Sequence, residues 1–174
     1  MGILIAAMSI SLQDISIRTE LKPGDIGHVV LLHGLLYNRE YGYGLGFESY
    51  VAGSLSEFYK NYDKEKDCVW VCEYKQEMIG FLLLMHRENN SAQLRYFIIV
   101  PAFRGIGLGN KLMQLFTNFL KQKKYTSCYL CTTSELYTAA SLYKRFGFVL
   151  TLERPSASFG KSLTEQRYDL KEIK

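Results

Sequence analysis

Over residues 12–19 apolar and polar side chains alternate, with Ile15 and Ile17 on one face, which predicts a strand. Lys22-Pro23-Gly24-Asp25 reads as a turn, with Asp25 placed to cap the helix that follows. Residues 26–41 bring apolar side chains back at helical spacing, until Gly42, Gly44 and Gly46 break the pattern. A second helix is predicted over 47–59, with Phe47, Val51, Leu55 and Phe58 on one side. After a charged loop over 62–67, the runs 68–74 and 78–86 read as strands, and the short link Lys75-Gln76-Glu77 makes them a hairpin. A turn over 88–91 leads to a third strand, 92–100, which Pro101 stops. A glycine-rich loop over 103–109 precedes a helix from about 110 to 123. A strand over 125–131, a helix over 135–146 closed by Gly147, and strands over 148–154 and 166–170 complete the chain. This order predicts an α/β (mixed α+β) fold with helices packed on a mixed sheet.

Composition narrows the class. A chain of 174 residues suits one domain spanning 1–174. With 48% hydrophobic and only 22% charged residues it is no disordered chain. A net charge of +4 favours anionic partners weakly and gives no reason to expect nucleic-acid binding. Cys68 and Cys72 share a strand face, whereas Cys128 and Cys131 point to opposite faces. The four thiols therefore suit a reducing compartment better than a metal site. The apolar start, residues 1–10, lacks a basic leader and is too short to span a bilayer. It is expected to be a loose end or an extra first strand, with Met8 an alternative start. The expected location is cytoplasmic, away from membranes.

Chemistry concentrates in Arg104-Gly105-Ile106-Gly107-Leu108-Gly109, between a strand and a helix. Glycines there let the backbone approach a ligand, and the helix start behind them offers unpaired N–H groups for phosphate oxygens. The spacing fits neither the Rossmann fingerprint nor a Walker loop. On the loop alone, an ordinary glycine turn stays open.

The pattern Arg104-x-x-Gly107-x-Gly109 resembles the Q/R-x-x-G-x-G/A signature of the GNAT acetyltransferase superfamily. The segment from Ala139 through Tyr143 to Gly147-Phe148 resembles that family's A-x-x-x-Y-x-x-x-G-F block. Gly24-Asp25-Ile26-Gly27, His33-Gly34, Glu40-Tyr41-Gly42, Phe47-Glu48 and Phe159-Gly160-Lys161 resemble, more closely, the acetyltransferase domain fused behind MarR-type regulators. No winged helix precedes it in this sequence, so the enzyme domain alone is expected, without DNA binding.

The resemblance implies a mostly antiparallel central sheet that splays at a cofactor cleft, with helices on both faces. It implies acetyl-CoA as cosubstrate and an N-acetyltransferase acting by direct attack of a primary amine from a small molecule or peptide. Edge groups of Ile98, Ile99 and Val100 would pair with pantetheine, the splay being laid to Pro101. One of the amides near Ile99 or Val100 would polarise the thioester carbonyl. Backbone amides from Arg104 through Gly105, Ile106, Gly107, Leu108 and Gly109 to Asn110 would hold the diphosphate, with Arg104 and Lys111 adding charge. Tyr143 would protonate the departing thiolate. Leu136 stands where many members have asparagine, so the polar contact to pantetheine falls to Thr133 or Ser134. Ala139 belongs to the same wall. Glu48 is the first choice of base, with a solvated or capping role left open. Glu40 and His33 are the other candidates, although His33, among leucines, reads better as a packing residue. Tyr37, Tyr41, Tyr43 and Tyr50 are the aromatic candidates for the acceptor pocket. Domains of this kind often pair as homodimers. A non-catalytic acyl-CoA-binding module is the alternative reading.

Overall fold

The computed structural model describes residues 10–170 and 172–173. The expectation of a loose end or extra strand at the start falls almost wholly outside these residues; Ile10 itself is not in a strand and packs against the core.

A one-turn 3-10 helix, Leu12–Asp14, precedes the short strand β1 (Ser16–Arg18). Helices α1 (Asp25–Tyr41) and α2 (Leu45–Lys60) follow. Then come strands β2 (Cys68–Tyr74), β3 (Glu77–Arg87) and β4 (Ser91–Ile99). Helix α3 (Leu108–Gln122), β5 (Ser127–Thr133), α4 (Tyr137–Arg145), β6 (Val149–Ser156) and β7 (Leu163–Leu170) complete the order. The strands form a seven-stranded sheet ordered β1-β2-β3-β4-β5-β7-β6. All its pairs are antiparallel except β4 with β5.

The near-continuous apolar runs of β2 and β3 are explained by burial on both faces. Cys68, Trp70 and Cys72 face a core shared with α3 and α4, while Val69 and Val71 face a core shared with α1 and α2. Phe47, Val51, Leu55 and Phe58, spaced on one side of α2, are all buried in the second core, as the periodicity predicts. Each such burial contributes about 1.5–3 kcal/mol. Cys128 is buried and Cys131 exposed, matching the opposite faces expected of them.

Several boundaries differ for local reasons. Asp25 does not cap α1. Gly24, at φ 97°, occupies that position, and the Asp25 carboxylate accepts from Lys22 N (2.6 Å) and both Arg18 terminal nitrogens (2.7 and 2.8 Å). The hairpin link contains Lys75 and Gln76 at positive φ, the twist a two-residue turn requires. Helix α3 begins two residues before its expected start, because Gly107 at φ 91° turns the chain into it directly.

Among the described residues no helix is long and apolar enough to cross a membrane.

Candidate active site: a parted pair of strands

β4 and β5 are paired only from Ser91↔Ser127 to Leu94↔Leu130. Beyond that point β5 continues its ladder with β7 to Thr133, whereas β4 turns away. The turn has a local cause. One extra residue enters β4 opposite β3 between Leu83↔Arg95 and Phe81↔Ile98, and Tyr96 sits there at φ 54°. A bulge bends a strand, and a tyrosine at positive φ is strained by roughly 1–2 kcal/mol. Tyr96 is held by a bond from its hydroxyl to Ser54 Oγ (2.6 Å) and by the Arg95 guanidinium over its ring (4.7 Å). The splay therefore starts at Tyr96. Pro101, to which it was assigned from sequence, only ends the strand.

The parting opens a cleft of about 700 Å³. Its lining includes Tyr37, Glu40 and Tyr41 of α1, Phe97 to Ile99 of β4, and Arg104, Gly105, Gly107, Gly109 and Asn110 of the loop and α3. Glu135, Leu136, Ala139 and Tyr143 complete the opposite wall.

The backbone of the glycine loop is open to this space. Among the described residues the amides from Gly105 to Asn110 meet no protein acceptor, while Lys111 N donates to Gly107 O at 3.1 Å. Gly105 and Gly107 both have positive φ, and a Cβ on either would meet nothing within 4 Å. Unpaired amides at the start of a 15-residue helix, around an empty concavity, make a seat for an anion. Ile106 and Leu108 contribute only backbone, because their side chains pack into the α3 core. Lys111 is exposed on the first turn of α3, and Ala139 lies on the cleft wall.

Other assignments need correction. Val100 N donates to Ile79 O at 2.8 Å, so it is not an edge donor and cannot polarise a carbonyl in the cleft. Antiparallel alternation turns the amide and carbonyl of Ile98 toward β3 as well, although Ile98 borders the cleft. Ile99 is left with its polar groups on the open side, and its carbonyl already accepts Arg104 Nε at 2.8 Å. Arg104 also grips Glu40 with both terminal nitrogens, each at 2.9 Å, so its charge is not free as expected. The Thr133 hydroxyl is bonded to Tyr43 Oη at 2.7 Å in a buried pair and does not line the cleft. Glu48 lies against Gly34 where α2 crosses α1, so close that a side chain at Gly34 would collide with its carboxylate. It is absent from the cleft lining, which removes the first choice of base.

Of the four candidate tyrosines, Tyr37 and Tyr41 line the cleft. Tyr43 is buried in the second core, and Tyr50 is exposed against Arg95. Glu135, which sequence reasoning passed over, stands in the wall with one buried carboxylate oxygen lacking any partner. No periodicity or spacing marks it, because it lies in the connection between β5 and α4.

Tyr143 is buried among the rings of Phe97, Phe148 and Tyr168 and borders the cleft. Desolvation raises its phenol above the ordinary tyrosine value, so it keeps its proton through neutral pH. Its hydroxyl has no hydrogen-bond partner among the described residues.

His33 is a packing histidine, as its leucine surroundings suggest. It is buried, its Nδ1 bonds Val29 O at 2.8 Å, and it stacks on Tyr37. Burial pushes its pKa down to about 4. The unfolded chain therefore binds a proton between about pH 6.5 and 4 that the folded chain refuses. Stability should fall as pH drops through that window, by roughly 3 kcal/mol at its lower end. Thermal melts of wild type and His33→Phe across that range check this: the variant's acid slope should be flatter.

A sheet that parts over a glycine-built anion seat is the architecture of the GNAT acetyltransferases. Residues 65–150 match the family model described as the acetyltransferase (GNAT) domain, and the chain carries that domain. The uncharacterized N-acetyltransferase YjgM of Escherichia coli is 33% identical over 98 residues. That match covers 55% of this chain, which spans only 59% of the relative's length. An acetyltransferase from Streptococcus agalactiae superposes with TM-score 0.70 at 21% identity, covering 92% of this chain and 99% of the other. A GNAT family acetyltransferase from Elizabethkingia anophelis, solved with acetyl-CoA bound, superposes with TM-score 0.63 at 15% identity, covering 91% and 99%. At these identities the structural likeness establishes the fold.

Proposed function

We propose that the protein transfers an acetyl group from acetyl-CoA to a primary amine of a small molecule or peptide. The observation that carries this reading is the row of acceptor-free amides from Gly105 to Asn110, beside a cleft that also holds a protonated, unpartnered Tyr143. The residues fit the cosubstrate. The amides and the start of α3 suit its diphosphate, and the open-side amide of Ile99 suits a pantetheine carbonyl. Bound there, acetyl-CoA supplies an acyl carbon that the amine nitrogen attacks while the C–S bond breaks. Tyr143 holds the proton for the departing sulfur, whose thiolate is the stronger base once it forms.

The reading extends to a single domain in a reducing cytoplasm, which the four unpaired thiols suit. The likeness to the MarR-fused branch rests on the sequence segments alone.

The test pairs binding with turnover. CoA should raise the melting temperature, and thiol release from acetyl-CoA should depend on an added primary amine. Binding without turnover over a broad amine panel would leave a CoA-binding module instead.

Glu40 offers a finer check. Its carboxylate neutralises Arg104 beside the anion seat. Glu40→Gln should free the guanidinium and tighten CoA binding by roughly two- to fivefold at low salt, the range of a partly exposed ion pair. Isothermal calorimetry reads it; weaker binding would mean that the pair serves to order the loop.

A further inference from the structure

Glu135 lies in the wall of the cleft, between β5 and α4, and no step above uses it. Its Oε1 accepts Lys161 Nζ at 2.5 Å, and Lys161 reaches across from the β6–β7 connection to donate also to Tyr41 O at 2.9 Å. Its Oε2 is buried and has no hydrogen-bond partner. The nearby Tyr43 hydroxyl is engaged by Thr133. A buried carboxylate oxygen left without a donor is costly, and a carboxylate can only accept. What completes this group is an N–H or O–H brought into the cleft.

We propose that Glu135 Oε2 is the docking atom for the acceptor amine. This rests on the acetyl-transfer reading above and names the residue that positions its second substrate. The oxygen accepts one N–H of the amine and leaves the nitrogen lone pair free. Lys161 fixes the carboxylate through the other oxygen. Its positive charge also disfavours a second cation beside it, so the amine is held in its neutral, nucleophilic form. Tyr37 and Tyr41 supply aromatic surface for the carbon chain behind the nitrogen.

Calorimetry on protein saturated with CoA, which carries no acetyl group to transfer, measures amine binding directly. The probes are n-butylamine, 1,4-diaminobutane and an alanine-ended tripeptide, with thiol release from acetyl-CoA followed in parallel. Glu135→Gln is expected to weaken the best probe about ten- to hundredfold, the range of one charge-assisted hydrogen bond, and to raise its KM more than it lowers kcat. CoA affinity should stay within about twofold, since the anion seat is untouched. Lys161→Met keeps the carboxylate and should retain amine binding within about threefold. If Glu135→Gln leaves amine binding and KM unchanged, the inference falls while the acetyl-transfer reading stands. If Lys161→Met loses as much as Glu135→Gln, the carboxylate serves only to anchor the β6–β7 connection, and the inference falls again. If wild type neither binds any probe nor releases thiol, both fall together.

Discussion

Replacing Tyr143 with phenylalanine should lower kcat by about 10²- to 10⁴-fold, the contribution of one positioned proton donor. CoA affinity should hardly change. The phenol makes no hydrogen bond within the protein, and its ring keeps its place among Phe97, Phe148 and Tyr168 in either residue. Stability should be equally indifferent, because no internal bond is lost. Burial raises the phenol well above its ordinary value, so the donor is fully protonated at neutral pH and should lose its proton only far into the alkaline range. Single-turnover thiol release by wild type and variant at saturating acetyl-CoA decides the matter. Equal rates would leave Tyr143 a core residue and return reprotonation to solvent.

The second large effect is expected at Gly107. This residue sits at φ 91°, immediately before α3, with nothing within 4 Å of the position its Cβ would take. A valine there meets two obstacles. Its backbone is strained by about 1–3 kcal/mol in a region that β-branched residues avoid, and its side chain projects into the proposed seat of the diphosphate. At a hundred times the dissociation constant CoA should stabilise wild type by about 2.7 kcal/mol, and Gly107→Val should show no such shift. Melting the variant without CoA separates loss of the seat from loss of the fold. A full CoA-induced shift in a folded variant would move the anion site elsewhere.

The elements themselves were legible in the order of residues. Helical spacing identified the buried face of α2 at Phe47, Val51, Leu55 and Phe58, and alternation placed Cys68 with Cys72 and Cys128 opposite Cys131. These follow from the two backbone periodicities, which are local. The glycines at 105 and 107 announced a cradle because positive φ is a property of single residues. The bulge at Tyr96 gave no such sign. A tyrosine enters the left-handed region only when partners from other elements, Ser54 and Arg95, hold it there. The exclusion of Glu48, the engagement of Arg104 by Glu40, and the pairing of Thr133 with Tyr43 were likewise set by residues 14, 64 and 90 positions away.

Sequence alone thus determined the kind of strand and helix, their order, the glycine seat and the tyrosine beside it, since each depends on a residue's own conformational range and its near neighbours. Tertiary structure decided where β4 leaves β5, which amides of that strand remain open, and which carboxylates reach the cleft. Those outcomes depend on contacts between distant segments, where one hydrogen bond or one close approach commits a side chain to a partner that the linear pattern does not reveal.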